Sequence, residues 1–122
     1  METVPYRIDI HHHIVPAAYI AALDKIGVTN ALGREFPEWP AEKSAAVMNA
    51  NGIKVAVTGL SSPGVFFADL DHAKALARMC NEISAKLVSD HPDRFGAFAA
   101  LRRRCLRYCY LEKPLASFRR NP

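Results

Sequence analysis

The run Asp9-Ile10-His11-His12-His13 carries the densest chemistry in this 122-residue chain. Side chains alternate along an extended strand, so His11 and His13 project from one face with Cα atoms roughly 6.5 Å apart, while His12 points the other way. Two imidazoles at that spacing can converge on one divalent cation, at about 2.0–2.1 Å from each nitrogen for zinc. Such a pair is an incomplete site, because structural zinc takes four ligands and catalytic zinc three plus water. No third ligand is evident in residues 1–101. His72 and His91 fall at opposite ends of a predicted helix, where they read as capping or solvent-facing groups. Cys105 and Cys109, four apart, have no second Cys or His pair beside them. On the residues alone, a chance His-x-His with no ligand remains an alternative.

The elements that must position this pair follow from periodicity. Residues 6–15 read as a strand, with Ile8, Ile10 and Ile14 on one face and Asp9, His11 and His13 on the other. Pro16 ends it, and residues 17–23 form a short helix. Residues 27–40, punctuated by Gly33, Pro37 and Pro40, read as irregular. A second helix starts at Ala41 after Pro40, buries Ala45, Ala46, Val47, Met48 and Ala50, and stops at Gly52. Residues 53–60, apolar on both faces, read as a strand buried in a parallel sheet. After the loop 61–67, a long helix runs from Asp69 or Asp71 to Ser89. Its buried face holds Ala73, Leu76, Ala77, Cys80, Ile83, Leu87 and Val88. Residues 95–101 make a third strand. This β–αα–β–α–β order predicts an α/β fold with a parallel sheet, and it puts the histidine pair at the carboxyl end of its strand.

Composition bounds the partners. Half of the residues are hydrophobic and 23% are charged, a balance typical of a folded globular chain. No apolar run reaches the roughly 18 residues of a membrane span, and the first twenty residues do not read as a secretory signal. The expected address is the cytoplasm. Three cysteines, an odd number, fit reduced thiols better than a disulfide framework. The net charge of +4 is unevenly spread: residues 102–122 hold seven of the sixteen Lys and Arg residues against Glu112 alone. The preceding hundred residues are mildly acidic, without the basic stripe or stacking platform of a nucleic-acid binder.

Three blocks in order resemble a known family: Asp9-Ile10-His11-x-His13-Ile14-x-Pro16, Leu60-Ser61-Ser62-Pro63-Gly64-Val65, and Cys80-Asn81-Glu82 followed by His91-Pro92-Asp93-Arg94-Phe95-Gly96. Together they resemble the N-terminal third of the amidohydrolase-related family, and are most similar to its aminocarboxymuconate-semialdehyde decarboxylase branch. The resemblance implies a (β/α)₈ barrel, of which residues 1–101 supply about three strands. It implies a divalent metal, usually zinc, held by His11 and His13, with a further histidine and an aspartate from later strands. The implied activity is hydrolysis, or non-oxidative decarboxylation of a small carboxylic acid. It places Ser61, Ser62, Pro63, Gly64 and Phe66 beside the substrate pocket, with Phe66 and Phe67 also able to pack beneath the loop.

The resemblance stops at Leu101. Residues 102–122, RRRCLRYCYLEKPLASFRRNP, read as a basic tail foreign to the family, either a surface helix followed by a coil or the product of a frameshift. A chain lacking the later ligands is expected to be inactive by itself, and to expose sheet edge and helix sides. A different class of function, a small interaction module binding anionic partners through the basic tail, is the alternative.

Overall fold

A computed structural model describes residues 6–67 and 69–101. Strand β1 (Arg7–Ile14) runs parallel to β4 (Ile53–Leu60), which in turn runs parallel to β5 (Phe95–Ala97), giving a three-stranded sheet in the order β1-β4-β5. Helices α1 (Ala17–Asp24), α2 (Ala41–Ala50) and α3 (Leu70–Asp90) occupy the crossovers. The fold is therefore α/β with a parallel sheet, part of a barrel rather than a closed one. No described helix is long and apolar enough to cross a membrane. Residues 102–122, with Cys105, Cys109 and the proposed domain boundary after residue 101, lie outside the described residues.

Two apolar clusters hold the layers together. The first joins Val15, Tyr19, Leu23 and Val65 to Leu76, Ala77 and Cys80 of α3. The second joins Met48 of α2 and Ala56 of β4 to Leu87 and Phe95. Trp39 packs against both, so the segment before α2 ties the clusters into one core. At the amino end of the sheet, the Arg94 guanidinium donates to the Lys54 carbonyl at 3.1 Å and to Asn49 Oδ1 at 2.8 Å, pinning the β5 entrance to β4 and α2. Helix α3 opens on the Asp69 side chain, which accepts the His72 N–H at 2.8 Å, and His91 caps its other end. His91 thus takes the capping role expected of it, whereas His72 is neither a cap nor solvent-facing: only its backbone N–H meets Asp69, and its Nε2 is buried without a partner among the described residues.

Outside β1, the structure departs from the periodicity in four places. Residues 27–40 are not wholly irregular: β2 (Asn30–Ala31) and β3 (Arg34–Glu35) pair as a tight antiparallel hairpin. Its central residues Leu32 (φ 53°) and Gly33 (φ 76°) both adopt the positive φ that two-residue hairpin turns of the I′ kind require, which leucine signals poorly. Helix α2 buries Ser44 and Met48, with Ala41 and Ala45 half-buried beside them, whereas Ala46, Val47 and Ala50 are exposed. In α3, Ser84 is buried, and Ile83 and Val88 are only half-buried. Strand β5 is three residues long rather than seven. Beyond it the chain is held by Asn81, which donates to the Ala100 carbonyl and accepts the Ala100 N–H at 2.7 Å, drawing the backbone toward α3.

Candidate metal centre

Strand β1 does not alternate cleanly. Asp9 pairs with Ala56 and His12 with Thr58, so three steps along β1 match two along β4, a bulge at Ile10-His11. The Asp9 carboxylate sits inside this bulge. Oδ1 accepts the His11 backbone N–H at 2.9 Å, and Oδ2 lies 3.0 Å from His12 Nδ1. These two bonds, the backbone one foremost, hold the Asp9 carboxyl below the ordinary carboxylate range, against the opposing effect of burial. Asp9 therefore works with His12, and does not share the His11–His13 face as a strict period of two would require. The same bulge disperses the expected isoleucine face: Ile14 is buried, but Ile8 and Ile10 are 65% and 68% exposed.

His11 and His13 converge. Their Nε2 atoms are 3.1 Å apart and their ring centroids 4.6 Å, with the planes at 78°. Two nitrogens bound tetrahedrally to one zinc ion stand about 3.3 Å apart, given bonds of about 2.0–2.1 Å. The pair thus fits two corners of a cation's coordination sphere, both rings presenting Nε2. Among the described residues, no group of three or more His, Cys, Asp or Glu side chains gathers around a common point. The donor set these residues present is two imidazoles, open on the remaining sides.

An open cleft of about 690 Å³ lies where β1 and β4 end, lined by Val15, Ser61 and Ser62 and by the hairpin residues Arg34, Glu35 and Phe36, among others. Of the loop residues singled out from sequence, Ser61 and Ser62 reach this cleft, but Pro63, Gly64 and Phe66 do not line it. The Gly64 carbonyl instead accepts the Tyr19 hydroxyl at 2.6 Å, Val65 is buried, and Phe67 packs on the core below. Phe66 is 44% exposed outside the cleft. The loop is anchored to β1 by the Ser61 N–H, which donates to the Ile14 carbonyl.

No model of a known protein family matches the chain. Individual proteins do. The chain is 39% identical over 97 residues to the decarboxylase yanB of Aspergillus niger, and 32% identical over 96 residues to the 6-methylsalicylic acid decarboxylase of Penicillium expansum. Each match covers 78% of this chain but only 26% and 29% of the relative, so the chain spans little more than a quarter of their length. Among solved structures, an amidohydrolase II superposes with a TM-score of 0.71 at 31% identity, over 77% of this chain and 31% of that one. Over these residues the chain is similar to amidohydrolase-related proteins. A second neighbour, the 5-carboxyvanillate decarboxylase of Novosphingobium aromaticivorans, was solved with manganese and 4-hydroxy-3-methoxy-5-nitrobenzoic acid. It matches at 25% identity with a TM-score of 0.60, covering 85% of this chain and 38% of its own.

Two sets of residues around the pair carry no clear signal in the sequence. Arg34 and Glu35 fall in a stretch that reads as irregular, because Leu32 stands where a two-residue hairpin turn would show Asn or Gly. Ser44 and Trp39 were passed over because a helix serine and a pre-helix tryptophan carry no chemistry until their partner is known. Ser44 meets His12, which lies outside the metal pair, and Trp39 meets Ser44.

Proposed function

We propose that this chain is the N-terminal segment of a divalent-metal-dependent decarboxylase of aromatic carboxylic acids, with His11 and His13 as two of its metal ligands. The observation that carries this reading is the 3.1 Å approach of two Nε2 atoms at the carboxyl end of β1, in a chain whose curated relatives are decarboxylases. To ligate through Nε2, each ring must keep its proton on Nδ1, leaving the Nε2 lone pair free for the ion. A cation held there would supply positive charge for a substrate carboxylate or phenolate oxygen. In the cleft where β1 and β4 end, Arg34 brings a positive charge beside Glu35, and Ser61 and Ser62 bring hydroxyl groups, donors that a small carboxylic acid could use. Decarboxylation is favoured over hydrolysis by the relatives. Manganese in a neighbour makes zinc one candidate among divalent ions.

Residues 1–101 would form the barrel segment and 102–122 a separate basic tail, and the chain alone would lack the ligands needed for turnover. A cytoplasmic setting agrees with the buried, unpaired Cys80 thiol. The test is metal uptake and turnover by the purified chain. Zinc or manganese should bind weakly, binding should vanish in His11→Ala, and 6-methylsalicylate or 5-carboxyvanillate should not be consumed. Uptake unaffected by His11→Ala would remove the metal assignment, and turnover by the isolated chain would remove the incompleteness argument.

A further inference from the structure

We propose that Asp9, His12, Ser44 and Trp39 form a positioning relay that aims the His11 and His13 rings at one another. The inference rests on the metal-pair reading for its functional meaning, but its geometry stands apart from it. His12 is largely buried on the opposite side of β1 from the pair. Its Nδ1 lies 3.0 Å from Asp9 Oδ2 and its Nε2 lies 2.8 Å from Ser44 Oγ on α2. Trp39 Nε1–H donates to the same Oγ at 2.8 Å.

Donor counting fixes the protons. An indole N–H can only donate, so Ser44 Oγ accepts from Trp39 and has one hydrogen left. In the neutral ring that hydrogen satisfies His12 Nε2, and the ring proton sits on Nδ1 and is donated to Asp9. The reverse tautomer would leave Nδ1 without a proton facing a carboxylate, and the serine hydrogen without this acceptor. Every polar atom in the chain Trp39–Ser44–His12–Asp9 is then used in one direction only.

The order Ser–His–Asp has the connectivity of a nucleophilic triad. It is not one here: Ser44 is 5% exposed, faces the sheet, and has its oxygen occupied by the indole N–H. The relay instead acts on the backbone. Asp9, held by His12 through Oδ2, uses Oδ1 to grip the His11 N–H inside the bulge. The bulge sets the direction of both flanking imidazoles, since one residue more or fewer turns a strand side chain to the other face. Helix α2 thus reaches through the strand and orients the pair on the far side.

The experiment is NMR on the full chain with ¹⁵N-labelled histidine. His12 should show the Nδ1–H tautomer with an exchange-protected ring proton, and the His11 and His13 rings should show a mutual nuclear Overhauser contact. Ser44→Ala and Asp9→Asn should abolish that contact, and should weaken zinc binding, read on the same two rings, by roughly tenfold or more. Ser44→Thr, which keeps the hydroxyl, should restore both. A His12 Nε2–H tautomer in the unaltered chain overturns the relay, a result that stands even if every variant fails to fold. So do folded variants with the ring contact and zinc affinity intact. If the unaltered chain takes no zinc while the ring contact still responds to Ser44→Ala, the metal reading falls and the relay is upheld.

Discussion

Cys80 shows how one buried atom sets a stability limit. It is 2% exposed in the cluster with Tyr19, and burial pushes its thiol up to about 11. Burial, reinforced by the neighbouring Cys80, pushes the Tyr19 hydroxyl up to about 12. In an unfolded chain these groups release their protons near pH 8.5 and 10. Both folded-state values are raised, so their contribution is complete below about pH 8.5 and is lost as the pH rises toward 11 and 12. Urea midpoints should be level up to pH 8 and fall steadily above pH 9. Cys80→Ala, less stable at neutral pH because of its cavity, should lose the part of the slope between pH 9 and 11. An unchanged slope would show that another group governs the alkaline limit. The same residue-level logic made His11 and His13 legible in advance, because alternation is a local property. The parts Asp9 and Ser44 play were not, because they depend on a bulge and on a partner 32 residues away.

At the level of elements, α2 gives the clearest contrast between pattern and packing. Five apolar residues, Ala45 to Met48 and Ala50, cannot all share one face of a helix with 3.6 residues per turn. The register that wins puts Ser44 and Met48 inward, because Ser44 is drawn to His12 and Trp39 while Met48 fills the space above Ala56 and Phe95. Val47 is left 49% exposed. Met48→Ala should therefore destabilise the chain by about 2–5 kcal/mol, whereas Val47→Ala should stay within about 0.5 kcal/mol, both read from urea unfolding. Equal costs would mean that the helix is rotated from the orientation described. Helix α3 was predictable from one strong period, and β4 from its largely apolar run. The β2–β3 hairpin escaped because its turn carries Leu32 where Asn or Gly would announce it.

At the scale of the molecule, the parallel order of elements was readable from alternation, but the sheet's boundaries were not. A parallel sheet is ordinarily covered on both faces and closed or shielded at its edges. Among the described residues, β1 and β5 are the two outer strands. Ile8 and Ile10 on β1 are mostly exposed, as are Phe98 and Leu101 after β5, each at 58%. Apolar side chains on an unpaired strand edge favour pairing with another chain, so the isolated protein should self-associate as its concentration rises. Ile8→Lys puts a charge on that edge, away from the histidine pair and from both core clusters. It should raise the concentration at which light scattering first appears by several-fold and leave the urea midpoint unchanged, since the removed side chain was already in solvent. A drop in the midpoint would show that Ile8 is buried in the folded chain. Scattering that is insensitive to the lysine would move the sticky surface from β1 to the β5 side, where Phe98 and Leu101 would be the next residues to charge.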